Sequence, residues 1–238
     1  MAPTPLDALC LGEALVQVSP VDGLRLRDAR TAHLSLGGAE ANVAISLALQ
    51  GLDVAWAGAL GADPLGDGLI DQLAERGVDV SLIERRDDAP TGLYLKDPSP
   101  AGSRPYYYRR GSAASLMDAE TARRWAQTTR PRLVHVGGIT PLLSATADAF
   151  IESIVVERVF GDAIVSFDVN HRPALSTAGT PDRLATLARA ADLVLVGRDE
   201  AERLWGTVTA DDIREHLGSR GTLVVKDGDR EAVAFEGE

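Results

Sequence analysis

An α/β fold is expected, a doubly wound and mostly parallel sheet with helices on both faces, and three observations point to it. Short apolar, β-prone runs recur at residues 9–18, 54–60, 133–137, 164–169, 193–196 and 222–226. Stretches patterned like helices separate them, which is the alternation that βαβ units produce. Several runs, such as Leu193-Val-Leu-Val196, are apolar almost throughout and suit strands covered on both faces. A length of 238 residues with 45% hydrophobic side chains fills one sizeable core, so one domain is the expected organisation.

Taken in order, the run at 9–18 reads as the first strand and residues 41–49 as a helix after it. The run at 54–60 is the next strand, followed by a helix over 65–76 that ends at Gly77, a residue able to take positive φ. The remaining runs continue the parallel core. Residues 24–36 and 91–108 break this rhythm, because they alternate polar and apolar side chains as half-solvated antiparallel strands do. They are expected to form a small separate sheet. The Pro/Gly/Ser cluster from Pro98 to Pro105 reads as a hairpin tip.

Composition narrows the function. A formal charge of −11 leaves no excess of Lys and Arg for a phosphodiester backbone, so nucleic acid is excluded as a partner. The single cysteine, Cys10, lies in an apolar run with no His near it and reads as a buried, inert thiol. The opening Met1-Ala-Pro-Thr-Pro carries neither a basic region nor a long apolar stretch, and a cytoplasmic protein without a membrane span is expected. The four histidines, His33, His135, His171 and His216, are scattered, and no metal site is expected from them.

The most informative stretch is Gly37-Gly38-Ala39-Glu40-Ala41-Asn42-Val43-Ala44, where paired glycines end a polar strand and open an apolar helix. Glycines there let a ligand approach the backbone, and Asn42 on the first turn can hydrogen-bond a polyol; a tight turn with a capping Asn is the alternative. A second Gly-rich turn, Gly58-Ala-Leu-Gly61-Ala-Asp63-Pro-Leu-Gly66, places Asp63 to cap the next helix.

Together these segments resemble the ribokinase-like carbohydrate kinase family, whose first signature joins a Gly-Gly, an Asn a few residues on and a Gly-x-x-Gly-x-Asp-x-x-Gly matched by Gly58, Gly61, Asp63 and Gly66. The resemblance runs from Leu9 to the last residues. It implies a ribokinase-like sheet with a small β-sheet lid, which residues 24–36 and 91–110 would supply. Within the family, Arg104-Pro-Tyr-Tyr107-Tyr-Arg109-Arg-Gly-Ser-Ala113 and Asp168-Val-Asn170-His-Arg172-Pro173 look like 2-keto-3-deoxygluconate kinases. A guanidinium matches a carboxylate bidentately, so Arg109 and Arg172 arriving from different elements would select an acid sugar. Strand alternation puts Tyr107 and Arg109 on one face. The family's sugar contacts carry over to Gly38, Tyr94, Tyr107, Arg109, Asn170 and Arg172, with Asn42 in support.

On the nucleotide side, the family's Asn-x-x-Glu resembles Gly197-Arg-Asp-Glu200, with Gly in place of the Asn, and its Lys-x-Gly-x-x-Gly loop resembles Lys226-Asp-Gly228-Asp-Arg-Glu231, with Glu in place of the last Gly. A solvated helix residue and an ordinary β-turn are the alternatives for Glu200 and for the loop. ATP and Mg2+ are the implied cofactors. The family's Asp-Thr-x-Gly-Ala-Gly-Asp segment, whose amides hold the transferring phosphoryl group and whose last Asp takes the sugar proton, matches nothing in the 238 residues. The domain is therefore expected to be incomplete, its catalytic Asp beyond Glu238, and these residues alone are expected to bind sugar better than they phosphorylate it. The expected function is ATP-dependent phosphorylation of 2-keto-3-deoxygluconate at its 6-hydroxyl. The alternatives are a kinase for a neutral ketose such as fructose, or an inactive sugar-acid binder. Pairing of two copies through the lid is also expected, since an exposed strand edge invites a partner.

Overall fold

The computed structural model describes residues 3–100, 102–218 and 221–237. Met1 and Ala2 of the opening segment, Ala101 in the expected hairpin tip and the terminal Glu238 lie outside the described residues. In chain order the elements are β1 (Thr4–Leu11), β2 (Leu15–Pro20), β3 (Ala32–Gly37), α1 (Ala39–Ala48), β4 (Val54–Ala57), β5 (Ala59–Gly61), α2 (Pro64–Ala74), β6 (Glu84–Arg86), β7 (Leu93–Ser99) and β8 (Gly102–Tyr108). There follow α3 (Ala119–Thr128), β9 (Thr129–Gly137), α4 (Ala145–Val155), β10 (Ile164–Asp168), α5 (Thr180–Ala190), β11 (Leu193–Gly197), α6 (Arg198–Trp205), α7 (Ala210–Leu217), β12 (Thr222–Asp227) and β13 (Glu231–Phe235). The chain divides into two compact units, Met1–Leu9 with Asp118–Glu238, and Cys10–Met117.

In the first of these units the strands lie in the order β13-β12-β11-β10-β9-β1. From β9 to β12 each neighbour is parallel, and β13 turns back after β12 to run antiparallel to it. Val134, Val136, Val165, Phe167, Val194, Val196, Leu223 and Val225 are all at most 2% exposed, so consecutive strands stack a β-branched and aromatic core. Helices cover the sheet: α5 buries Leu184, Leu187 and Ala188, and α4 buries Phe150, Ile151 and Ile154, each of the Leu, Ile and Phe side chains contributing about 1.5–3 kcal/mol. Side-chain oxygens of Asp118, Ser144 and Thr209 accept from backbone N–H groups at the starts of α3, α4 and α7, satisfying donors that a helix leaves open. The strand expected at 133–137 is longer than its apolar run, because β9 begins at Thr129 among exposed arginines.

The Cys10–Met117 unit corrects three expectations. The run at 9–18 is two strands: β1 ends at Leu11, and β2 pairs antiparallel with β3 in a separate sheet of order β3-β2-β7-β8. The run at 54–60 also divides, at Gly58, where a Cβ would lie 2.4 Å from the Trp56 ring and 2.7 Å from Gly12 O. Past that point β5 leaves to pair with β6. Of residues 24–36 only the part from Ala32 onward is strand. The earlier part is a turn held by the carboxylate of Asp97, which accepts from Arg25 Nε at 3.0 Å, Arg25 Nη2 at 2.5 Å and Leu26 N at 2.8 Å. That carboxylate offers these donors an alternative to a strand ladder. The small sheet is mixed, since β2 and β7 are parallel while β7 and β8 form an antiparallel hairpin.

Helix α2 closes as its Gly77 suggests, with φ 80° there and Val78 N donating back to Leu73 O at 3.2 Å. Among the described residues no helix is long and apolar enough to cross a membrane.

Candidate functional site

Two clusters of chemistry-bearing side chains stand out, one in each unit. In the Cys10–Met117 unit, β7 and β8 set Tyr94 opposite Tyr107, their ring centroids 5.5 Å apart, and the Arg109 guanidinium lies 5.3 Å from the centre of the Tyr107 ring. Period-two alternation thus puts Tyr107 and Arg109 on one face, while Tyr106 and Tyr108 are exposed on the other. The Tyr94 hydroxyl donates to Gln17 Oε1.

Arg109 is buried, and its Nη2 donates to the carboxylate of Glu13, whose side chain is 1% exposed. Ser112 Oγ donates to the other Glu13 oxygen at 2.9 Å. Burial of Arg109 demands a counter-charge, and Glu13 supplies it. Gly38 adopts φ 145°, and a Cβ there would lie 2.8 Å from Glu13 O and 3.1 Å from Ala14 Cα, so the close approach requires glycine. Asn42 is exposed on the first turns of α1 and accepts no capping role, because Gly38 is the N-cap and makes no side-chain bond.

In the other unit, the carboxyl ends of β10, β11 and β12 carry Asp168, Gly197 and Lys226, with Gly197 in register beside Lys226. Lys226 Nζ lies 2.9 and 3.1 Å from the two Asp168 oxygens. Glu200, on the first turn of α6, folds back to accept from Gly197 N at 3.0 Å, and Arg172 approaches its other oxygen at 3.9 Å. Burial pushes the Glu200 carboxyl above its ordinary pKa; the Gly197 N–H opposes this, Asp168 adds to it, and Lys226 and Arg172 oppose it. A Cβ at Gly197 would stand 2.9 Å from Asp199 Oδ1 and 3.2 Å from Glu200 Oε2, so both carboxylates crowd this position.

The connection after β10 turns sharply at Asn170, whose φ of 38° is left-handed, a conformation Asn tolerates better than most residues. His171 is buried there with Nε2 2.5 Å from Ser176 Oγ, and its pKa is lowered by burial and by Arg203 and Arg172. Arg172 is 44% exposed. Gly228 sits at the turn between β12 and β13 with φ 58°, and Glu231 pairs with Asp227 as the first residue of β13. Asp227 in turn receives Arg198 Nη2 at 3.2 Å.

The structure thus brings Tyr94, Tyr107 and Arg109 into one cluster, and Arg172, Gly197, Glu200 and Lys226 into another. Glu13, Gln17, Ser112 and Asp168 belong to these clusters without having been assigned a role from the sequence. Glu13 and Asp168 carried a signal: each is an acid within an apolar run, where a carboxylate must find a partner. Gln17 and Ser112 carried none. Among the described residues no three His, Cys, Asp or Glu side chains converge on a metal-sized space.

The chain is 35% identical to the 2-dehydro-3-deoxygluconokinase of Bacillus subtilis (strain 168), over 92% of its own length and 69% of that protein's. Its backbone superposes on a PfkB protein from Polaromonas sp. JS666 with TM-score 0.87 and 35% identity, covering 98% of this chain and 80% of that one. It also superposes on the fructokinase with bound ATP from Xylella fastidiosa, with TM-score 0.81 and 28% identity, covering 97% and 71%. The model of the pfkB family of carbohydrate kinases matches residues 6–238, and this chain, with its ribokinase-like fold, belongs to that family of kinases.

Proposed function

We propose that the protein transfers the γ-phosphoryl group of ATP to the 6-hydroxyl of 2-keto-3-deoxygluconate. The observation that carries this reading is the 44% exposed guanidinium of Arg172 at the carboxyl ends of the sheet strands, in a chain similar to a 2-dehydro-3-deoxygluconokinase, while the Tyr94–Tyr107–Arg109 cluster offers flat apolar area for a sugar. In the Cys10–Met117 unit the proposed sugar contacts are Gly38, Asn42, Tyr94, Tyr107 and Arg109. In the other unit, Asn170 and Arg172 are proposed sugar contacts, and Gly197, Glu200, Lys226 and Gly228 nucleotide contacts.

The ATP assignment is supported by the similar fructokinase with bound ATP and by the placement of Lys226 and Gly197 at strand carboxyl ends, where open α/β sheets bind ligands. Mg2+ is usually held by one or two carboxylates plus substrate phosphates, which fits the lone Glu200 beside Asp168 better than a dedicated protein cage. When bound, it would neutralise phosphate charge during transfer.

Lys226 supplies a cation for phosphate oxygens, and Glu200 holds the Gly197 amide in place. A neutral ketose is a second reading, favoured by one observation: Glu13 already neutralises Arg109. The test is phosphoryl transfer by the natural gene product with ATP, magnesium and either 2-keto-3-deoxygluconate or fructose. A kcat/KM at least tenfold higher for the acid supports the first reading. The reverse order supports the second.

A further inference from the structure

Arg109 and Glu13 form a buried ion pair close to the tyrosines of the small sheet, with side chains 8% and 1% exposed. The second Glu13 oxygen is taken by Ser112, so the carboxylate is saturated on one side by a hydroxyl and on the other by the guanidinium. Gly92 completes the enclosure: a Cβ there would come within 3.0 Å of Glu13 Oε1 and 3.5 Å of Arg109 Cβ. A cation buried among aromatic rings is attractive to any anion that reaches it, unless its charge is already matched.

We propose that Glu13 is a specificity-determining residue: its carboxylate matches the charge of Arg109 and fixes the guanidinium against Tyr107, so that this wall carries no net charge and admits neutral sugars beside acid ones. The inference rests on the assignment of Tyr107 and Arg109 to the sugar. Glu13 is a positioning residue in this role and acts on the sugar through Arg109. In its presence an incoming carboxylate meets a guanidinium shared with another carboxylate. In its absence the same guanidinium loses that counter-charge, and an acid sugar supplies another where a neutral sugar does not.

The two charges make opposite predictions when removed singly and cancel when removed together, which separates a charge effect from loss of packing. Glu13→Gln keeps the shape and the Ser112 contact but unmasks Arg109. Arg109→Met leaves Glu13 unmatched. The double variant restores neutrality. Dissociation constants for 2-keto-3-deoxygluconate and for fructose are measured calorimetrically on all four proteins. The expected result is that Glu13→Gln raises the preference for the acid about tenfold, Arg109→Met lowers it by about as much, and the double variant returns it to within about threefold of the starting protein. Equal weakening of both sugars in either single variant would overturn the proposal and leave Glu13 a packing residue. Should Glu13→Gln fail to fold, Arg109→Met and the double variant still carry the test. The preference of the unaltered protein tests the substrate reading, and the shift among variants tests this inference whichever sugar that protein prefers. Failure of every variant to bind either sugar would overturn both.

Discussion

Lys226 reaches across the neighbouring strand to bring its ammonium within 2.9 Å of Asp168, so the carboxyl ends of β10 and β12 are tied over the end of β11. The pair is half in solvent, Lys226 42% and Asp168 23% exposed, and such pairs contribute roughly 0–1 kcal/mol. Its value is therefore positional. Lys226→Met is expected to leave the urea midpoint almost unchanged while raising KM for ATP about tenfold or more, with KM for the sugar little altered. An equal rise for both substrates would contradict the nucleotide assignment of Lys226.

The raised pKa of Glu200 has a consequence for stability. Between its ordinary value of 4.5 and its higher folded value, the native state holds a proton that the unfolded chain has lost. Stability attributable to this group is fully present below that window and falls as pH rises through it. Glu200→Gln is expected to flatten that part of the pH profile, measured by chemical denaturation across pH 4 to 8. A profile unchanged by the substitution would show that burial of Glu200 is not what the carboxyl feels.

Gly38 is held at φ 145° against the carbonyl of Glu13. Gly38→Ala has to move backbone rather than a flexible side chain, and a destabilisation of about 1–3 kcal/mol is expected. Gly68, whose added Cβ would meet nothing within 4 Å, is the control. Calorimetric melting of the two variants gives the comparison, and equal midpoints would remove the argument for Gly38.

Asp63 does more than the helix cap that its sequence suggests. Its Oδ1 accepts from Gly66 N and its Oδ2 from Thr91 N, each at 2.8 Å, so one carboxylate ties α2 to the segment that enters β7. Burial raises its pKa, but the donors from Thr91 and Gly66 outweigh it and the net shift is downward. Asp63→Ala strands a cap donor and the Thr91 N–H together, at a cost of about 2–4 kcal/mol; Asp63→Asn, which keeps one acceptor, should cost less. Urea unfolding that ranks the two the other way round would contradict the double role.

Much of this was legible in the residues. The apolar runs at 164–169, 193–196 and 222–226 are parallel strands within a residue or two, because burial on both faces leaves few polar positions to confuse the pattern. Illegible was where a run breaks: nothing in Leu9 to Val18 announces that β1 and β2 belong to different sheets, since the break serves tertiary approaches around Gly12 and Glu40. The turn before β3 was hidden for a similar reason, as its organiser Asp97 lies 72 residues from Arg25. At the site, Tyr107 and Arg109 followed from alternation. The partner of Arg109 did not, because Glu13 is 96 residues away and only the folded sheet brings them together.

The central claim, a kinase of an acid sugar, is tested most directly by comparing Arg172→Ala with the unaltered gene product in steady-state phosphorylation of 2-keto-3-deoxygluconate and of fructose. Arg172 is 44% exposed; its Nη1 donates to His171 O at 3.3 Å and stands 3.9 Å from Glu200, which leaves the rest of the guanidinium fork for a ligand. The unaltered enzyme is expected to favour the acid, and the substitution to raise KM for the acid about tenfold or more while changing KM for fructose less than about twofold. Equal changes for the two sugars, or an unaltered enzyme that favours fructose, would contradict it.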